Sequence, residues 1–421
     1  MKLKEHTLII LSLFLMLFVC IGSVSALESQ TDNIRENNEI SISESPEILT
    51  ASASDDAIGI SSDENIISSN NRDWYVNASA ADGGDGSNIS PYNNFKSVLD
   101  NTNLQDGDNV YFAGKENYKG NGINVNLDIN KQLNLLKYGS GEAVFDAEHN
   151  SRIFTVYASC INITGLTFIN GNADNGGALY FSNAISNSNI NATYTNNTAE
   201  DSGGANYFYW SVSNSNITGT YSHNTANNGN GGANNFNRDV SDSNINGTYI
   251  NNTANNGKGG ANFYWSVLNS NITGTYTNNT ANNGNGGANC FWESVSDSNI
   301  NGTYSHNTGE DFGGANNFNR DVSDSNINGT YINNTANNGN GGANCFWESV
   351  SDSNINGTYI NNTASNAIIY FQYDEGLDAE ITNAIFLNNK CEYEIYACSS
   401  GVVVKDSWFG NNASNYMNKP N

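Results

Sequence analysis

Residues 242–254 read Asp-Ser-Asn-Ile-Asn-Gly-Thr-Tyr-Ile-Asn-Asn-Thr-Ala, and near-copies of this stretch recur along the chain. Between the copies stands Gly-Gly-Ala, which begins at positions 176, 203, 231, 259, 286, 313 and 341, in steps of 27 or 28 residues. The side chains alternate between two faces, with Ile245, Gly247 and Tyr249 on one and Asn244, Asn246 and Thr248 on the other. This alternation has the period of a β-strand. One repeat cannot bury its apolar face alone, so we expect the repeats to stack as coils of a parallel β-solenoid, with each strand about 4.8 Å from its counterpart.

Each repeat predicts further strands and a set of stacked amides. A second strand is expected at Gly-Ala-Asn-x-Phe, and a short third one near the recurring valine, as at Val240 and Val295. Equivalent asparagines in successive coils can hydrogen-bond amide to amide. The first Gly-Gly-Ala copy is followed by Leu179, and later copies by Asn234, Asn262 and Asn289, which indicates an inward position that becomes a polar stack.

Two histidines interrupt the repeat. His223 and His306 stand where other copies carry asparagine. We expect them to replace that asparagine in a ladder or a turn rather than to act in catalysis.

The composition narrows the class of protein. The chain has 421 residues, of which 82 are asparagine and only 14% are charged. It contains 16 Lys+Arg and 42 Asp+Glu, a net charge of -26, so a nucleic acid is excluded as a partner because little would neutralise its phosphates. Asparagine and glycine are poor helix formers, whereas 11% of aromatic residues is enough to form a core.

The N-terminal part is expected to stand outside the fold. Residues 1–26 resemble a secretory signal peptide with an apolar run at 8–21 and cleavage after Ala26, and residues 27–72 form an acidic spacer predicted to be disordered. No second apolar stretch follows, so we expect a mature chain without a transmembrane segment, secreted to the outside of the cell or to its surface. The remaining boundaries are a cap of the β-helix at 73–105, irregular early coils at 106–175, regular coils at 176–364, degenerate coils at 365–415 and a tail at 416–421.

Four segments resemble a known family. Residues 168–179, Phe-Ile-Asn-Gly-Asn-Ala-Asp-Asn-Gly-Gly-Ala-Leu, are similar to the repeats of polymorphic outer membrane proteins. Residues 74–86, 106–112 and 151–156 resemble segments of adhesin-like proteins of methanogenic archaea. The resemblance implies a right-handed, single-stranded parallel β-helix of the pectate lyase-like superfamily, with about 27–28 residues per coil. This chain departs from the family motif by carrying tyrosine in place of phenylalanine and asparagine in place of isoleucine.

The resemblance also implies a function at the cell surface. We expect an adhesin-like protein that attaches to other cells, host glycans or matrix, with surface glycans or proteins as partners. A polysaccharide lyase or glycoside hydrolase on the same fold, and a structural envelope protein that binds nothing, are the alternatives. An enzyme is disfavoured because Arg238, Lys258 and Arg320 are the only basic residues of the regular coils, and the acidic pairs at 200–201 and 310–311 fit solvated turns. No catalytic residue is assigned.

Aromatic and basic side chains before the recurring valine form a candidate binding stripe. If they face water, they suit sugar rings or a protein partner; if they face inward, they belong to the core. The residues are Tyr209, Trp210, Tyr264, Trp265, Trp292, Trp347, Arg238 and Arg320.

Other sites are weaker candidates. No cofactor is predicted, although calcium could find oxygen ligands in Asp82, Asp85 and Asp174. Cys290 and Cys345 occupy one repeat position two coils apart, about 9.6 Å, which is too far for a disulfide bond. Candidate glycosylation sites on the outward side of the main strand are Asn216, Asn246, Asn271, Asn301, Asn328 and Asn356.

Overall fold

The computed structural model describes residues 71–373, 377–398, 401–410 and 416–418. The expected signal peptide and almost all of the acidic spacer lie outside these described residues. In the described part of the chain the strands form four parallel sheets around one apolar core. The predicted all-β fold, a right-handed single-stranded parallel β-helix, is therefore confirmed.

One coil shows how the sheets are connected. The chain runs through Asn206–Phe208 in sheet 2, Val212–Ser213 in sheet 3, Asn216–Ser222 in sheet 1 and Thr225–Ala226 in sheet 4. A glycine-rich loop then leads to Asn234–Phe236, which pairs in register with the sheet 2 strand one coil earlier. The first three strands match those predicted from the repeat. The fourth, of two residues, was not predicted.

The strands of the four sheets are the following, in chain order. Sheet 1 contains Asp73–Val76, Asn109–Ala113, Glu116–Tyr118, Asn134–Tyr138, Ala143–Asp146, Asn162–Ile169, Asn189–Thr195, Asn216–Ser222, Asn244–Ile250, Asn271–Thr277, Asn299–Ser305, Asn326–Ile332, Ser353–Ile355, Thr358–Ile360, Ala379–Thr382, Ile385–Leu387, Val402–Lys405 and Trp408–Phe409. Sheet 2 contains Leu127–Ile129, Phe154–Val156, Leu179–Phe181, Asn206–Phe208, Asn234–Phe236, Asn262–Tyr264, Asn289–Phe291, Asn316–Phe318, Asn344–Phe346, Ala367–Phe371 and Tyr393–Ala397. Sheet 3 contains Ile185–Ser186, Val212–Ser213, Val240–Ser241, Val267–Leu268, Val295–Ser296, Val322–Ser323 and Val350–Ser351. Sheet 4 contains Asn172–Ala173, Thr198–Ala199, Thr225–Ala226, Thr253–Ala254, Thr280–Ala281, Thr308–Gly309 and Thr335–Ala336.

A short helix, Phe95–Leu99, lies against the first coils. The side chain of Asn94 accepts a hydrogen bond from the backbone N–H of Ser97 and caps the helix N-terminus, which supplies a partner for an otherwise unpaired donor. Phe95 packs edge-on against Phe112, with ring centroids 5.0 Å apart. The helix thereby buries an aromatic side chain in the first turns of the core.

Aromatic rings fill the core as two continuous stacks. Identical residues face each other in register, so their rings lie parallel, with centroids separated by about the strand spacing. The tyrosine stack, with centroids 4.7–4.9 Å apart, contains Tyr194, Tyr221, Tyr249, Tyr276, Tyr304, Tyr331 and Tyr359. The sheet 2 stack, with centroids 4.4–5.0 Å apart, contains Phe181, Phe208, Phe236, Tyr264, Phe291, Phe318, Phe346 and Phe371.

In six of the seven coils of the tyrosine stack a glycine lies two residues before the tyrosine and makes room for the ring; Ala192 takes this place before Tyr194. A Cβ atom on Gly247 would lie 2.8 Å from Cε2 of Tyr249, which is closer than van der Waals contact allows. The ring leans back over its own strand and covers the glycine backbone. This packing explains why Gly-Thr-Tyr recurs as a unit.

The predicted inward asparagine stack exists in sheet 2. Each side-chain Nδ2 donates to Oδ1 of the next coil at 3.0–3.2 Å, in one direction, along Asn206, Asn234, Asn262, Asn289, Asn316 and Asn344. The ladder ends where the pattern ends, because Asn206 pairs in register with Leu179 and Asn344 with Ile369. Its two terminal atoms, Oδ1 of Asn206 and Nδ2 of Asn344, accordingly have no hydrogen-bond partner among the described residues.

A second buried ladder, which we call the turn ladder, lies between sheets 1 and 4. It contains Asn197, Asn224, Asn252, Asn279, Asn307, Asn334, Asn362 and Asn389, joined by Nδ2 to Oδ1 bonds of 3.0–3.2 Å. In each of these bonds the backbone N–H of the donating residue also reaches the same Oδ1 atom, so one side chain satisfies several buried groups.

The remaining repeat positions also follow the predictions. His223 and His306 have the same left-handed backbone, with φ of 56°, as the asparagines of this turn, and Nε2 of His223 is 3.0 Å from Nδ2 of Asn251. They replace turn asparagines, as expected. Cys290 pairs in register with Asn317, which pairs with Cys345, so the two cysteines are two coils apart and carry free thiols.

The turn ladder predicts a large effect for a single amide. Asn279 donates to Oδ1 of Asn307 and to the carbonyl of Tyr249, and it accepts from Asn252. Asn279→Ala leaves these buried groups unpaired, so we expect the free energy of unfolding to fall by about 3 kcal/mol, measured by urea denaturation. The matched control is Asn282→Ala, an exposed asparagine bonded to Asn255, which should cost less than about 0.5 kcal/mol. Equal losses in the two variants would contradict the role of the turn ladder.

The tyrosine stack predicts alkaline unfolding. Burial raises the pKa values of stacked tyrosines such as Tyr249 and Tyr304 well above the usual value for tyrosine. A group whose pKa is higher in the folded state stabilises the fold below its unfolded pKa, about 10 for tyrosine, and this contribution is lost as the pH rises further. We expect the phenolate absorbance of these residues to appear in one cooperative step together with loss of the β-sheet circular dichroism. Gradual ionisation near pH 10 with intact dichroism would contradict their burial.

Candidate functional site

A row of aromatic and basic side chains follows the ends of the sheet 2 strands. Each strand ends in a ring of the core stack, and the next one or two residues lie at the corner before sheet 3. Backbone bonds keep these corners in register; the N–H of Trp265 donates to the carbonyl of Phe236, and that of Trp292 to that of Tyr264, both at 2.9 Å. We call the corner residues the aromatic strip: Tyr209, Trp210, Arg238, Trp265, Trp292, Arg320 and Trp347.

The strip is exposed to different extents. Tyr209 is 42% exposed and Trp210 is 47% exposed, and Trp265, Trp292 and Trp347 are half-buried. Phe312 covers part of Trp347, with the ring centroids 4.6 Å apart. The rings nearest the N-terminal end of the strip are therefore the most accessible.

The prediction that Tyr264 belongs to this stripe was wrong. Tyr264 is fully buried, between Phe236 and Phe291 in the sheet 2 stack. Its coil has one residue fewer between the inward asparagine and Val267 than the other regular coils. When positions are counted backward from the valine, Tyr264 takes the place of a corner residue. When they are counted forward from the asparagine, Tyr264 is the inward residue and Trp265 lies at the corner.

The basic residues of the regular coils concentrate at the strip. Between positions 176 and 364 the sequence contains Arg238, Lys258 and Arg320 as its only basic residues. The guanidinium carbon of Arg238 lies 5.8 Å from the ring centroid of Trp210 and 5.5 Å from that of Trp265. Nζ of Lys258 lies 4.4 Å from the ring of Trp292. These distances are those of cation–π contacts, so the strip combines cations with aromatic faces in a chain of net negative charge.

The strip continues onto sheet 2 through residues that the sequence analysis missed. Tyr180 and Tyr207 stack in parallel with centroids 5.5 Å apart, and Arg152 lies 4.9 Å above the ring of Tyr180. Tyr209 lies 6.3 Å from both rings. Burial raises the pKa of Tyr207 to about 12. Strand alternation could have identified these tyrosines. Each is the middle residue of a sheet 2 strand, which points outward because the residues on both sides of it point inward.

The acidic pairs considered for catalysis support the loops. Glu200 accepts a hydrogen bond from Asn228 at 2.7 Å, and Glu310 accepts one from Asn338 at the same distance. Each carboxylate thus bonds to the loop of the following coil, in agreement with their expected place in turns.

The calcium candidates remain untested predictions. Asp82 accepts from Asn93 at 2.5 Å, and Asp174 is exposed. Asp85 accepts hydrogen bonds from Ser87, which lower the pKa of its carboxyl. Among the described residues, no group of three or more His, Cys, Asp and Glu side chains is arranged to hold a metal ion.

The candidate glycosylation sites fall into two columns of sheet 1. Asn216 and Asn271 belong to an outer asparagine ladder; Asn216 donates to Asn189 and accepts from Asn244. The second column lies two residues further along the strand and contains Asn246, Asn301, Asn328 and Asn356. Asn246, Asn271 and Asn301 are exposed, whereas Asn216, Asn328 and Asn356 are partly buried. Oδ1 of Asn356 accepts from Thr382.

No helix in the described part of the chain is long and apolar enough to cross a membrane. Neither a family model nor a curated protein matches this sequence. Among solved structures, a GH136 lacto-N-biosidase from Eubacterium ramulus is similar with a TM-score of 0.30 and 10% identity, over 83% of this chain and 68% of that one. A rhamnogalacturonan lyase (TM-score 0.25, 12% identity, 82% and 86% coverage) and pectate lyase Pel9A (0.26, 14%, 81% and 81%) are also similar. The likeness is one of fold alone, the parallel β-helix.

Proposed function

We propose that this chain is a carbohydrate-binding protein of adhesin-like type, secreted or held at the cell surface, and that the aromatic strip is its binding surface. The observation that carries the proposal is that Tyr209 and Trp210 are exposed at one corner and that Arg238, in the next coil, contacts both Trp210 and Trp265. Indole and phenol rings offer flat apolar faces with a polar edge, which is the surface on which a sugar ring can stack. The adjacent guanidinium of Arg238 supplies polar contacts.

The repeat supports attachment by many weak contacts. Copies of the corner recur every coil, so a polymeric ligand can meet Trp210, Trp265 and Trp292 in sequence. Linked binding events raise the effective local concentration and give avidity without any tight single site. Attachment to surfaces that carry repeated sugars is the function that fits such a series.

A carbohydrate-active enzyme is the second candidate. The similar solved structures described above are a lacto-N-biosidase, a rhamnogalacturonan lyase and a pectate lyase, and each name denotes an enzyme that acts on carbohydrate. In this chain Glu293 and Glu348 flank Arg320 at the strip. Release of reducing ends or unsaturated products from a polysaccharide panel would favour this candidate over simple binding.

The binding proposal predicts a specific effect of two tryptophans. Trp210→Ala and Trp265→Ala should each weaken binding to the glycans that the wild-type chain retains, by at least about tenfold, or about 1.4 kcal/mol, because each removes a stacking face. Equilibrium binding to an immobilised glycan panel measures this. Trp408→Ala is the matched control, since Trp408 is 55% exposed but lies on sheet 1, outside the strip.

Two outcomes would contradict the proposal. Saturable glycan binding that Trp210→Ala and Trp408→Ala weaken equally would place the site elsewhere. An absence of saturable binding to any glycan or cell surface would leave a structural protein, the third expectation from the sequence.

A further inference from the structure

The chain contains two identical corners with different surroundings. Residues 231–249 and 313–331 have the same sequence, so Arg238 and Arg320 are copies of one residue. Each lies at the corner of its own coil and contacts the corner side chains of the preceding and following coils. The two arginines therefore serve as an internal comparison.

Arg320 is neutralised by its neighbours. Its Nη1 donates to Oε1 of Glu348, and its Nε lies 4.0 Å from Oε2 of Glu293. Both glutamates occupy in their coils the position that Arg320 occupies in its own. A carboxylate on each side leaves no positive charge at this corner for a ligand.

Arg238 has aromatic neighbours instead. The preceding coil places Trp210 at the equivalent position, and the following coil lacks that position because it is one residue shorter between Asn262 and Val267. The guanidinium carbon lies 5.8 Å from the ring centroid of Trp210 and 5.5 Å from that of Trp265, and Nη1 donates to the carbonyl of Asn237 at 3.1 Å. No carboxylate of the described residues forms an ion pair with it.

We infer that the corner at Arg238 recognises an acidic group on the glycan, and that the corner at Arg320 does not. The inference rests on the proposed carbohydrate-binding function and specifies the charge of its ligand. Cation–π contacts with two indoles and the hydrogen bond to the carbonyl of Asn237 restrict the guanidinium, which lowers the entropic cost when a ligand binds. A planar guanidinium with free N–H groups matches a carboxylate or sulfate, and the flanking rings receive the sugar that carries it.

Because the whole chain is negatively charged, an acidic glycan can be recognised only through direct contacts at the corner. With a net charge of -26, long-range attraction does not favour an anion, so the preference must come from direct contact. The nearest acid in sequence is Asp239, which is exposed and forms no ion pair within the described residues. Asp239 opposes an acidic ligand, and Asp239→Asn should strengthen its binding.

The test compares acidic and neutral forms of one glycan on the full mature chain. The probes are hyaluronan oligosaccharides, which carry carboxylates, the same oligosaccharides with the carboxyls reduced to alcohols, and chondroitin sulfate oligosaccharides, which add sulfate. We expect the wild-type chain to prefer the carboxylate form by about tenfold at low salt, the value of one charge-assisted hydrogen bond. The preference should decrease at high salt.

The two arginines then provide matched variants. Arg238→Gln should abolish the preference for the acidic over the reduced form, whereas Arg320→Gln should keep this preference. A larger affinity for chondroitin sulfate that also depends on Arg238 would identify sulfate as the recognised group. Asp239→Asn should raise the affinity for the acidic form only.

Three results would overturn the inference. They are equal binding of acidic and reduced hyaluronan by the wild-type chain, equal effects of Arg238→Gln and Arg320→Gln, and no binding of hyaluronan by a chain that binds neutral glycans through Trp210. Failure of the underlying function would look different, because it would show as neutral-glycan binding that does not respond to Trp210→Ala. The charge preference and the stacking surface can thus fail independently.

Discussion

At most inward positions of the regular coils a side chain lies next to its own copy, and the rest of the structure depends on this constraint. Parallel pairing in register with one repeat per coil places equivalent residues about 4.8 Å apart. A residue at such a position must be able to pack or bond with itself. Asparagine can, because its amide is both donor and acceptor, and an aromatic ring can, because rings stack in parallel. A charged residue is disfavoured, because like charges repel at this distance. The column of Asp297, Asp324 and Asp352 is an exception, at exposed turn positions.

The constraint accounts for the composition. Asparagine fills the inward ladder of sheet 2 and the turn ladder, and tyrosine and phenylalanine fill the two aromatic stacks. Charged residues make up only 14% of the chain, and at the corners before sheet 3 they alternate with residues of another type along a column. Arg320 between Glu293 and Glu348 follows this rule, as does Arg238 between Trp210 and Trp265. The same rule that holds the fold together therefore determines which corners are free to bind a ligand.

The fold could be predicted from the sequence because the spacing of the repeat gives the register between strands of successive coils. The spacing of Gly-Gly-Ala identified the coil, and the change from Leu179 to Asn234 identified the inward ladder. The short strands of sheet 4, such as Thr225–Ala226, were missed because two residues carry no alternation to detect. The role of Gly247 was also missed, because it depends on the direction in which the Tyr249 ring leans.

The candidate site was harder to predict because it depends on contacts between coils. Tyr264 was assigned to the surface although a one-residue deletion moves it into the core. Arg238 and Arg320 looked equivalent because they stand in identical segments. Their difference arises from Trp210, Glu293 and Glu348, which lie about 28 residues away along the chain and one coil away in space. A sequence analysed repeat by repeat does not show these neighbours.

Hydrogen exchange of side-chain amides would show directly whether buried asparagine ladders join the coils. In a sample labelled with nitrogen-15 at asparagine, NMR would follow the Nδ2 hydrogens after transfer to heavy water. The account predicts a distinct set of amides, including those of Asn252, Asn262, Asn279 and Asn289, that exchange only when the protein unfolds globally. Rapid exchange of all asparagine side chains in the folded protein would contradict it.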